Sequence, residues 1–80
     1  MQIEIITPEK KIFEGEAMIV RVPGTKGSFE ILNNHAPIIS TLEEGTIKVV
    51  SPDDIDNFFD IKGGVIEAKE NHIIILAEVT

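Results

Sequence analysis

Apolar residues recur at alternate positions through most of this chain. That period of two commits it to β-strands, because successive side chains on a strand point to opposite faces. Ile3 and Ile5 alternate with Gln2 and Glu4, and Met18, Val20 and Val22 with Ile19 and Arg21. Ile47 and Val49 alternate with Thr46 and Lys48, and Phe59 and Ile61 with Asp60 and Lys62. Val65-Ile66 and Ile73-Ile74-Ile75-Leu76 are apolar without alternation and largely β-branched. That is the pattern of a central strand covered on both faces.

Turn signals separate these runs: Thr7-Pro8, Glu14-Gly15, Pro23-Gly24, Asn33-Asn34, Gly45, Ser51-Pro52-Asp53-Asp54, Gly63-Gly64 and Glu70-Asn71. Short strands with turns about every 8–12 residues predict an all-β sandwich or flattened barrel. The strands around Glu70-Asn71 read as a tight hairpin. Asp53–Phe59 and Ile38–Glu44 are the only segments with any helical character, and both are too short to be stable helices alone. Ser51-Pro52-Asp53 suits a helical cap, while Ile55, Phe58 and Phe59 suit a strand entry.

With 80 residues there is room for one core, so residues 1–80 read as a single domain. The absence of cysteine removes disulfides and thiolate zinc sites as sources of stability. Stability must come from apolar burial, helped by a bound neighbour. The net charge of −7, from 14 acidic and 7 basic residues, argues against nucleic acid, whose binders need a basic face. It also argues against docking on anionic lipid. No apolar run approaches the roughly 20 residues of a membrane span, and Met1-Gln2-Ile3-Glu4 lacks the flank and apolar block of a signal peptide. The chain is expected to be soluble, with no direct membrane insertion.

Chemistry is hard to assemble from these residues. His35 is the natural suspect for an acid, base or ligand, but catalysis needs an adjacent nucleophile or carboxylate and zinc needs three or four ligands. His72 lies in the distant hairpin, so His35 reads as a loop or partner-contact residue, and no catalytic, cofactor or metal residue is assigned. Glu43-Glu44 and Asp53-Asp54 are neighbours on extended chain and point apart, which suits solvation better than paired acid–base work. Pro23-Gly24-x-x-Gly27 lacks the lysine-serine ending of a phosphate loop, and Gly63-Gly64 lies between two strands. Both read as turns or a bulge needing positive φ or close approach. Phe29 and Ala36-Pro37-Ile38-Ile39 are apolar residues in or beside loops, either lids on the core or a docking surface.

Three motifs in order carry a resemblance. Ile5-Ile6-Thr7-Pro8-Glu9 leads to Phe13-Glu14-Gly15-Glu16-Ala17. Val20-Arg21-Val22-Pro23-Gly24 leads through Phe29-Glu30-Ile31-Leu32 to His35-Ala36-Pro37. Phe59-Asp60-Ile61-Lys62-Gly63-Gly64 leads to Asn71-His72-Ile73-Ile74-Ile75-Leu76-Ala77. Together they resemble the amino-terminal domain of the epsilon subunit of F-type ATP synthase, across essentially the whole chain. The resemblance implies a flattened β-sandwich of about ten short strands. It implies a non-catalytic rotor subunit at the foot of the central stalk, bridging the gamma subunit to the polar loops of the membrane c ring. Such a subunit couples proton translocation to ATP synthesis on the alpha and beta subunits, and meets the rest of the F1 sector indirectly. It implies no cofactor and a place on the cytoplasmic face of the bacterial inner membrane, or the organellar equivalent, as a peripheral subunit. By carry-over, Ser28, Phe29, Glu30, Asn33, Asn34 and His35 would face the c ring, and a neighbouring sandwich face would bind gamma.

The chain departs from the family pattern where Ser28 replaces an acidic residue, Glu30 a glycine and Asn33-Asn34 a Pro-Gly pair. The acidic charge has moved from position 28 to 30, and Asn-Asn supports a turn with positive φ. Typical members also add a carboxy-terminal helical pair that brakes ATP hydrolysis. Because this sequence stops at Thr80, it is expected to lack that brake.

Two other readings compete. A biotinyl- or lipoyl-type carrier domain is also a small acidic β-sandwich, but it needs a lysine at a hairpin tip in a set context, and neither Lys62 nor Lys69 has it. A small binding β-barrel needs convergent polar groups in a pocket, and a chain without cysteine, tryptophan or tyrosine offers few.

Overall fold

A computed structural model describes all of residues 1–80. The period-two runs fold as nine strands: β1 (Gln2–Ile6), β2 (Lys11–Glu16), β3 (Ile19–Val22), β4 (Phe29–Leu32), β5 (Ile38–Leu42), β6 (Gly45–Val50), β7 (Asp56–Ile61), β8 (Gly63–Lys69) and β9 (His72–Glu78). They form a five-stranded sheet in the order β2-β1-β9-β8-β5 and a four-stranded sheet in the order β4-β3-β6-β7. The all-β sandwich expected from alternation is therefore correct, with nine strands where about ten were expected. A lone bridge between Gly24 and Leu42 extends the pairing. There Thr25 N donates to Thr41 O (3.1 Å) and Glu43 N to Pro23 O (2.8 Å), tying the end of β3 to the edge of the other sheet.

The core lies between the sheets. Ile3, Ile5, Ile66, Ile73 and Ile75 point inward from the larger sheet and meet Val20, Val22, Ile31, Ile47 and Val49 from the smaller one, all fully buried. Burying each contributes about 1.5–3 kcal/mol, and the β-branched side chains fit the pleated surface with little rotamer freedom to lose. Phe13 of β2 and Phe59 of β7 close one side, with ring centroids 5.2 Å apart and planes tilted by 57°.

A β-bulge in β2 sets its two faces. The register steps from Ile5↔Phe13 to Ile6↔Lys11, so Ile12 is the extra residue. Both Ile12 and Phe13 pack against the core, while Lys11 turns to the outer face. A bulge reverses side-chain parity in this way. The chain's two ends meet in the parallel pair β1–β9, from Gln2↔His72 to Ile6↔Leu76.

The turns follow their residues. Glu70 and Asn71 have φ of 52° and 60°, the two left-handed residues of a type I′ hairpin between Lys69 and His72. Asn34, at φ 63°, takes the positive φ expected of Asn33-Asn34. The segments with helical character are not helices. Ile38–Leu42 is β5. Ser51–Ile55 is a turn closed by Asp54 N to Ser51 O (2.8 Å) and Ser51 N to Ile55 O (2.9 Å), with Asp54 at φ 64°. Sheet pairing on either side outweighs any one-turn helix.

Gly64 differs from its neighbour. A Cβ there would lie 2.4 Å from the carbonyl oxygen of Leu76, whereas one at Gly63 would meet only Leu42 O at 3.6 Å. Gly64 is thus a close approach between β8 and β9, and Gly63 is an ordinary strand residue.

One expectation fails. Val65 and Leu76 lie on central strands yet are 39% and 54% exposed. In a two-layer sandwich a strand in mid-sheet has neighbours on both edges but a core on only one face. Continuous apolar sequence therefore does not mean cover on both sides.

Candidate functional site

Pairing fixes which residues share the uncovered face of the five-stranded sheet. Ile3, Ile5, Ile73, Ile75, Ile66 and Ala68 are buried. The alternate set therefore points outward: Ile6 beside Leu76, Leu76 beside Val65 and Ile74 beside Glu67, and Glu67 beside Ile39. Ile39 is 72% exposed. An apolar band of Ile6, Leu76 and Val65 therefore runs over β1, β9 and β8 and ends at Thr41 of β5, with Ile39 set apart from Ile74 by Glu67. A groove of about 510 Å³ beside the band is lined in part by Ile6, Pro8, Val65 and Leu76.

The rim of this face is charged. Glu4 on β1 accepts from Lys11 Nζ at 2.8 Å and from His72 Nε2 at 3.0 Å, and Lys11 also reaches Glu14 at 3.3 Å. Lys11, then His72, holds the Glu4 carboxyl below its ordinary range. Glu4, then Glu14, raises the Lys11 ammonium. These contacts bind β2, β1 and β9 side by side, so the band rests on a braced support. Glu14, Glu16, Glu67 and Glu78 outnumber Lys11 and Lys69 around it, which suits a partner with positive charge beside an apolar ridge.

The six residues carried over by resemblance line β4 and its flanks, at the edge of the four-stranded sheet, and do not converge on one tip. Ser28 and Asn33 lie at opposite ends of the strand, about 17 Å apart at 3.4 Å per residue. Ser28 and Glu30 are exposed. Phe29 packs against the core, its ring filling the space a Gly24 side chain would need. It is a lid, as is half-buried Ile38, while Ala36, Pro37 and Ile39 are exposed.

At the other end the loop is tethered. Asn33 Oδ1 accepts from the Met1 ammonium at 3.1 Å, and Asn34 N donates to Asn71 Oδ1 at 2.8 Å. His35 is exposed, with Nδ1 2.6 Å from the Ala36 carbonyl oxygen. No group of three histidine, cysteine or acidic residues is placed to hold a metal. Glu44 pairs with Lys62 at 3.0 Å in solvent.

Reading residues alone missed the outward band, although its signal was present. Val65, Ile74 and Leu76 break the alternation with apolar residues where a solvated face would carry polar ones.

Over residues 1–80 the chain matches the family described as ATP synthase, Delta/Epsilon chain, beta-sandwich domain. It is 36% identical over 77 residues to the ATP synthase epsilon chain of Chlorobium limicola, covering 96% of this chain and 88% of that one. It is 37% identical over 78 residues to the epsilon chain of Leptospira borgpetersenii, covering 98% of this chain and 61% of that one. Its fold is similar to a chain in the Euglena gracilis mitochondrial ATP synthase structure of OSCP, F1 and c-ring, with a TM-score of 0.88 at 16% identity, covering 94% of this chain and 48% of that one. It is also similar to one in the Tetrahymena thermophila central stalk and c-ring, with a TM-score of 0.78 at 20% identity, covering 98% and 63%.

Proposed function

This chain belongs to the ATP synthase delta/epsilon β-sandwich family, and from that premise we propose that it is a non-catalytic rotor subunit joining the gamma subunit to the c ring. The observation that carries this reading is the apolar band on the outer face of the five-stranded sheet. A free domain this small gains nothing from leaving Ile39, Val65 and Leu76 in water, whereas a permanent partner would bury them. The band is the gamma-binding face, and its acidic rim selects a basic-flanked partner. The β4 edge reaches the ring through Ser28, Glu30, Asn34 and His35, with Phe29 and Asn33 holding that edge to the core and to Met1. Nine strands tied into one core make a stiff body, which is what transmitting torque requires. The whole works at the membrane as a peripheral subunit. No helix is long and apolar enough to cross a membrane.

Co-purification of the chain with its cognate gamma subunit tests this. Leu76→Lys puts a cation into the band of an otherwise folded protein and should weaken the complex at least about 30-fold, the equivalent of one interface hot spot. Ile39→Lys should act in the same direction. Undiminished binding by both variants would move gamma to another face. Failure of the unmodified chain to bind gamma would overturn the rotor reading itself. Glu30→Lys should leave gamma binding intact and lower proton-driven ATP synthesis in vesicles carrying the assembled complex. Unchanged synthesis would remove β4 from the ring contact.

A further inference from the structure

We draw no further inference here: the strongest candidate outside the surfaces already described, the cross-strand row of Arg21, Lys48 and exposed Phe58 on the outer face of the four-stranded sheet, carries nothing because nothing in the structure shows what covers it.

Discussion

Replacing Gly64 by alanine separates two neighbouring glycines that look alike in sequence. The new Cβ would sit 2.4 Å from Leu76 O and 3.3 Å from Ala77 Cα, against about 3.3–3.6 Å for a normal carbon–oxygen contact. Relief requires a shift of about 1 Å between β8 and β9. β9 is held on its other side by β1, so the main chain resists that movement. Overpacking of this kind costs about 1–3 kcal/mol, and more where the backbone must move. The reduced freedom of the unfolded chain returns only about 0.4–1 kcal/mol. A net loss of about 2 kcal/mol is expected, against a total of roughly 4–12 kcal/mol for a domain this size. The midpoint of urea unfolding should fall by about 0.7–2 M, given a slope of about 1–3 kcal/mol per molar urea. The melting temperature should drop by about 8–16 °C. Gly63→Ala is the internal control: with its Cβ 3.6 Å from Leu42 O, it should be neutral or stabilising by up to about 1 kcal/mol. If Gly64→Ala unfolds within about 0.5 kcal/mol of the parent, or Gly63→Ala loses as much, the close-approach argument is wrong.

Ile75 is fully buried on the central strand, so Ile75→Ala should cost about 2–5 kcal/mol and Ile75→Val about 0.5–1.5 kcal/mol in the same assay; equal losses would contradict a tightly packed core. The Glu4 carboxyl is held below its ordinary 4.5 when folded, so its stabilisation is complete above that pH and is lost as pH falls through the lowered folded value. Glu4→Gln should therefore be less stable than the parent near neutrality and converge with it in acid; a gap that persists in strong acid would rule out titration of Glu4 as the cause. At Asn34, whose φ is 63°, alanine should cost about 1–2 kcal/mol per the left-handed penalty, and glycine much less. Similar stabilities for Asn34→Ala and Asn34→Gly would show that the turn does not need that backbone conformation.

How far the residues alone led depends on whether local or distant contacts decide a feature. Spacing puts Ile3, Ile5, Val20, Val22, Ile47 and Val49 on inward faces, and all six are buried. Met18, in the same alternation as Val20 and Val22, precedes the first residue of β3 and is exposed. The Glu70-Asn71 hairpin and the Asn33-Asn34 turn were legible because positive φ favours few residue types. Gly63 and Gly64 were not separable, since the oxygen that excludes a side chain at position 64 comes from Leu76. The set from Ser28 to His35 rests on the family resemblance. Its spread along β4, with Ser28 and Asn33 at opposite ends, is not legible in the residues because it depends on the segment being extended.

The sequence by itself determined the strand period, the turns and the family, because each is encoded in short-range spacing and in residue types with strong backbone preferences. Tertiary structure alone decided the rest. The β2 bulge that turns Lys11 toward Glu4, the parallel closure of β1 on β9, and the side of the sheet left uncovered all depend on contacts between distant segments. A strand's sequence states which residues share a face, but only packing against a second layer decides which face meets water. For this chain that decision leaves Ile39, Val65 and Leu76 exposed.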